Sequence, residues 1–292
     1  MDIVSILAAF GGGVFGSLIG GTTAFIFTGL MGLAGIVVSL SGGGDAILNN
    51  IAFGPFFGPH VAFAGGVAAA ALSGKIKKNL ESEGTEECLA KSQQYVDGCD
   101  TLTPIFKTKD PLVILAGGIF GILGLIVNYF YAEILHLPID TIGFTVLTLG
   151  VVCRLLIGTT GLFGKKPENV NRYAFEPQQL IFSLIWSFGF SAVVAYACYT
   201  LNINNIGFVI SACSLIFLYF GLDFPVTHHI SMITGYATIA FGSVFLGALF
   251  GVIAFLVGEF ILRTFSSYAD THIDMPAFTI AVLSFLILGI LS

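Results

Sequence analysis

The sequence predicts an all-α polytopic membrane protein. Three observations carry the prediction. Of 292 residues, 56% are hydrophobic and only 10% charged, where a soluble domain carries about 25%. Residues 3–41 contain no charged side chain. The mean hydropathy is +0.96, so the few charges cannot coat a water-exposed surface of this size. Asp2 and the lack of Lys or Arg ahead of the first apolar run argue against a cleaved signal peptide, which needs a positive leading region.

A spanning helix takes about 20 apolar residues. By that ruler, spans fall near 3–20, 22–41, 51–73, 111–133 and 139–157, then near 178–200, 204–221, 224–241, 243–263 and 274–291. With about ten spans, all eleven Lys and Arg fall on one face. The positive-inside rule then puts the 75–110 and 158–177 loops in the cytoplasm and both termini outside. The expected location is a prokaryotic cell membrane. Residues 75–110 mix both charge signs and read as a soluble loop insertion, with Cys88 and Cys99 as reduced thiols.

The chain also reads as a duplication. Phe53-Gly54, His60-Val61 and Gly66-Val67-Ala68 recur as Phe220-Gly221, His229-Ile230 and Gly235-Tyr236-Ala237. Ile119-Phe120-Gly121 returns as Leu249-Phe250-Gly251, and the stretch 139–146 returns as 273–280 with Asp140 matched to Asp274. The expected organisation is a first repeat at 1–158, a cytoplasmic linker at 159–177 and a second repeat at 178–292. Five spans per copy is odd, so the copies would be inverted, as in many secondary transporters whose sites lie at the repeat interface.

Matched breaks are expected in the third and eighth spans, at Gly54-Pro55 through Gly58-Pro59-His60 and at Asp223 through Pro225 to His229. Proline removes a backbone donor and disturbs the preceding turn. In lipid, such freed groups persist only where protein or a water-filled cavity satisfies them. Pro59 suits a first helical turn, and Thr227 suits a cap. His60, His228 and His229 beside these breaks are candidate substrate-binding groups, since imidazole donates, accepts and relays protons. Asp45, Asn49 and Asp223 lead into the breaks and join the list. A charge at a helix centre costs about 2.5–3.5 kcal/mol, so carboxylates there usually line a pathway. Asp140 and Asp274 precede apolar runs, where a helix cap belongs. Proton or ion coupling is their alternative role, with His136 and His272 close by in sequence. Glu259 and Arg263 fit a surface pair at i, i+4.

Gly12, Gly16 and Gly20, continued by Gly29, Gly32 and Gly35, let helix backbones approach closely. They serve packing within one chain or an interface between copies. No phosphate loop, nucleophile elbow, zinc spacing or basic nucleic-acid stripe is present. No cofactor, metal or nucleic acid is therefore expected, and the chain is not expected to be an enzyme. The expected partners are the lipid bilayer and a small solute. The function expected is a secondary transporter or channel-like permease for a small polar solute or ion, possible proton coupling included. A structural subunit of a membrane complex and an intramembrane enzyme are the alternatives.

Overall fold

A computed structural model describes all 292 residues, and every regular element is helical. The α-helices are α1 (Ile3–Ile19), α2 (Gly21–Leu40), α3 (Ala64–Glu83), α4 (Glu86–Ser92), α5 (Pro111–Tyr129) and α6 (Thr141–Leu156). They continue with α7 (Pro177–Leu201), α8 (Ile206–Ser214), α9 (His228–Phe241), α10 (Val244–Ile261) and α11 (Met275–Ser284). Short π or 3-10 turns extend several of them. Four helical stretches are long and apolar enough to cross a membrane: Gly21–Leu40, Pro111–Ile134, Pro177–Leu201 and Val244–Ser266. Shorter apolar helices occupy Ile3–Ile19, Thr141–Leu156, Ile206–Phe220 and Met275–Leu291.

Helix ends follow local chemistry. The Asp2 carboxylate accepts from the Ser5 amide at 2.7 Å to start α1. Gly20, at φ 91°, then reverses the chain straight into α2 with no linker. Asp110 caps α5 ahead of Pro111, and Ser243 caps α10 by accepting from the Leu246 amide.

The chain breaks at both expected places. Residues 51–73 are not one helix. A π turn at Leu48–Ala52 ends at Phe53, Gly54–Gly58 carry no regular helix, and helix resumes at Pro59 through a π turn, Pro59–Phe63, into α3. Pro55 and Pro59 have no N–H to donate backwards, so the ladder cannot cross this stretch. After the second break, α9 starts at His228, a few residues beyond the expected span's start at 224. Gly221 turns at φ 71° and Pro225 keeps 222–227 non-helical. Thr227 holds the cap position, but its hydroxyl makes no capping bond.

The 75–110 stretch carries regular structure of its own. α3 runs on to Glu83, α4 follows, and Tyr95, Val96 and Ile105 bury against Ala69, Ala70 and Val113. Cys88 and Cys99 are free thiols. Arg263 pairs with Glu259 at 3.1 Å, one helical turn apart.

Packing is glycine-driven. In the first half α1, α3 and α5 form one knot, because Gly13 lies on the Gly117 carbonyl and Gly65 faces both. In the second half α7, α9 and α10 form another, with Gly247 and Gly251 against Thr238, Ser191 and Thr234. Gly29 and Gly32 set α2 on α8 at Val209. Gly12, Gly16, Gly20 and Gly35 likewise meet Pro55, Ala62, Leu102 and Leu48. These glycines are thus occupied within the chain.

α6 and α11 run antiparallel across the middle. The Asp140 amide, at the start of α6, donates to Ser284 Oγ near the end of α11 at 2.8 Å. Gly143 faces the Ala277 carbonyl and Ile280, and Gly150 faces the backbone of His272 to Asp274.

At one end of the molecule Asp270 ties three segments together. It accepts from the Thr159 amide and hydroxyl (2.9 and 2.6 Å), the Thr160 hydroxyl (2.8 Å) and Lys78 Nζ (3.2 Å). Burial pushes its carboxyl up, but these donors outweigh burial and hold it well below 3.8. A carboxyl depressed in the fold contributes stability that is full above about pH 4 and fades as pH falls towards its folded value. The thermal stability of the wild type should therefore fall below pH 4. Asp270→Asn should unfold earlier at pH 7 and show a flatter acid limb. Parallel acid limbs in the two proteins would refute this.

Candidate functional site

The starts of α6 and α11 deliver two carboxylates to one cavity of about 550 Å³ between the halves. This size falls within the roughly 300–1,000 Å³ of small-molecule pockets. Asp140 caps α6, its Oδ1 accepting from the Gly143 amide at 2.7 Å. Its Oδ2 accepts from the Tyr236 hydroxyl of α9 at 2.8 Å. Asp274 caps α11, its Oδ2 accepting from the Ala277 amide at 2.8 Å, while Oδ1 faces His272 Nε2 at 3.2 Å. Both acids therefore do the work of caps and still line the cavity.

The remaining wall is largely apolar: Phe25 of α2, Phe63 of the first break, Val146 of α6, Phe208 of α8, Met232 of α9 and Ile280 of α11. Thr22, Thr101, Asn204 and Asn205 add neutral polar groups. No Lys or Arg lines it.

His228 opens α9 and also lines the cavity, at 7% exposure. Its ring stands 4.6 Å from Phe25 and edge-on to Phe208 at 5.9 Å. Its Nδ1 is buried without a hydrogen-bond partner. Such a group costs about 1–3 kcal/mol unless something meets it.

The expected site residues separate into three groups. Asp140, Asp274 and His228 meet at the cavity. His60 and His229, 1% and 3% exposed, are buried outside its wall, again with unpartnered Nδ1 atoms. His60 lies against α5, where its carbonyl meets Gly124, and His229 lies against Gly258 of α10 and Met275. Thr227 is buried next to His228 without lining the cavity. Asp45, Asn49 and Asp223 are exposed at the approaches to the breaks and lie outside the wall. Asn49 sits on the π turn Leu48–Ala52, and Asp45 and Asp223 sit in the non-helical chain ahead of the helix or turn that follows. The His228 and His229 rings are 6.3 Å apart and perpendicular, and no third His, Cys, Asp or Glu joins them to hold a metal ion. His136 is exposed and makes no contact with Asp140 resembling that of His272 with Asp274.

Tyr236 is the functional residue that sequence reasoning passed over. It stands where Val67 stands in the matching Gly66-Val67-Ala68. A polar residue replacing an apolar one inside an otherwise repeated triplet was the available signal.

A family model matches the chain over residues 1–179 and 166–292, described as a family of unknown function (DUF7973). The chain belongs to that family. No curated protein and no solved structure matches it.

Proposed function

We propose that this chain is a membrane-embedded secondary transporter or channel-like permease. It moves a small solute through the central cavity at the interface of two inverted five-helix repeats, 1–158 and 178–292, joined by 159–177. The single observation that carries the reading is that cavity, with the two matched acids at the antiparallel crossing of α6 and α11. Sites at repeat interfaces, built where helices are interrupted, are the transporter pattern.

The inverted repeat draws support from packing. The α1–α3–α5 knot recurs as α7–α9–α10, and Gly117 and Gly121 sit at the contact as Gly247 and Gly251 do. Across α6 and α11, matched positions meet: Gly143 with Ala277, and Asp140 with Ser284 as Gly150 with Asp274. Membrane insertion draws support from the four long apolar helices and from α7, whose Ile181, Phe182, Ile185, Tyr196 and Tyr199 face outward. A purely structural subunit would have no use for a cavity holding two acids and an unpartnered imidazole.

Flux of a panel of cations, anions and neutral solutes into proteoliposomes tests the reading. Met232→Trp places an indole in the cavity and should bring the flux down to that of empty liposomes. Glu133→Gln, at an exposed carboxylate outside the cavity, should leave it unchanged. A Met232→Trp protein that folds and transports like wild type would move the pathway elsewhere and sink the proposal.

A further inference from the structure

The cavity's chemistry is unequal along its length. Asp140 is tied to Ser284 by its amide, and Asp274 caps the same helix ten residues earlier. Ten residues at about 1.5 Å each set the backbones of the two acids roughly 15 Å apart along α11, and the Asp140 carboxylate, turned back to the Gly143 amide beside Ala277, comes nearer to Asp274 than that. Phe25, Phe63, Val146, Phe208, Met232 and Ile280 line the same cavity. Neither acid has a Lys or Arg beside it in the wall. A buried carboxylate without a full cationic partner is expensive; the helix N-terminus each acid caps and, at Asp274, the His272 imidazole at 3.2 Å offset part of that cost, and an ammonium would supply the rest. Aromatic faces such as Phe25 and Phe208 also favour ammonium groups and the methylenes next to them.

The geometry points to a linear aliphatic diammonium or polyammonium ion as the ligand of this cavity, one ammonium at Asp140, one at Asp274, and the alkyl chain along the phenylalanines of the wall. This inference rests on the reading of the cavity as the substrate site. Each carboxylate already accepts one backbone amide and one side-chain contact. Ionised carboxylate oxygens still have free lone pairs for an ammonium. A single inorganic cation would leave most of 550 Å³ unfilled. An organic anion would meet two like charges, and a neutral chain would add no compensation at either acid. The asparagines at 204 and 205 and the threonines at 22 and 101 supply neutral acceptors for a further amine between the ends.

The test is calorimetric titration of the full chain in detergent with α,ω-diaminoalkanes of four to ten carbons, 6-aminohexan-1-ol and 1,6-hexanediol. Affinity should rise to an optimum and fall again. The carboxylates lie closer than the roughly 15 Å between their backbones, and two ammonium contacts of about 2.8 Å take up part of that distance, so the optimum should lie at about five to eight carbons. At that length the diamine should bind about tenfold or more tighter than the amino alcohol, and the diol should not bind. Asp140→Asn and Asp274→Asn keep a good capping residue, so both should elute and melt like wild type. Each should reduce the best diamine to the affinity of the amino alcohol. Three results would each overturn the inference: no length optimum, a diol or amino alcohol that binds as tightly, or Asn variants that bind the diamine unchanged. The length series needs no variant, so a folding defect cannot mask it.

Liposome flux separates this inference from the transport reading. Diamines that bind as described but never cross sink transport and leave the ligand assignment standing. Other solutes crossing by a Met232→Trp-sensitive route, while diamines neither bind nor compete, sink the ligand assignment and leave transport standing.

Discussion

Arg154→Leu is expected to lower stability by about 3 kcal/mol, because it orphans several buried acceptors that cost about 1–3 kcal/mol each. The side chain is 1% exposed. Its guanidinium donates through Nη1 to the carbonyls of Leu162 and Phe265 at 3.1 Å and of Gly161 at 3.3 Å. Nε and Nη2 donate to the hydroxyl and carbonyl of Thr271. The planar fork thereby fastens the segment after α6 to the segment between α10 and α11. Leucine fills the volume but leaves those acceptors facing an apolar side chain, and an orphaned buried acceptor costs about 1–3 kcal/mol. Arg154→Lys should fall between, because an ammonium has three donors and no fork. Denaturant titration in micelles measures all three proteins. A leucine variant within about 1 kcal/mol of wild type would show that the loops hold themselves.

Gly124→Val should be nearly as damaging. A Cβ at this position lands on the His60 carbonyl oxygen. That oxygen belongs to the backbone of the π turn Pro59–Phe63, so no side chain can swing aside. Small-to-large changes in a tight core cost about 1–3 kcal/mol, and a backbone clash puts this one at or above the top of that range. Gly189→Val is the matched control, because a Cβ there has nothing within 4 Å. Equal unfolding midpoints for the two variants would mean that α5 can back away from the turn.

Several features could be read in advance because they depend on neighbours along the chain. Asp140 and Asp274 read as caps before apolar runs, and both are. Pro59 read as a first-turn residue, and Glu259 with Arg263 as an i, i+4 pair, and both are so placed. The cavity wall was not readable. A helix that is apolar all round has no polar face to indicate which way it points. Phe208 and Met232 therefore look in sequence like any of the other phenylalanines and methionines. Proximity to the breaks drew attention to Asp45, Asn49 and Asp223, yet nearness in sequence to an unwound turn does not say which side of it faces the cavity. In the 75–110 stretch, high charge density hid the three residues, Tyr95, Val96 and Ile105, that bind it to α3 and α5.

Tyr236 has a consequence beyond holding a carboxylate. In a chain whose two halves exchanged conformations and were chemically identical, the two mirror-image arrangements would have the same free energy and would be equally populated. Here one end holds its acid through a phenol and the other through an imidazole two residues away. A hydrogen bond to a charged group contributes about 1.5–3 kcal/mol net. An imbalance of about 1.4 kcal/mol already makes one arrangement tenfold more abundant than its mirror. Under the transport proposal, this valine-to-tyrosine difference between the copies would be large enough to give the molecule a preferred resting orientation.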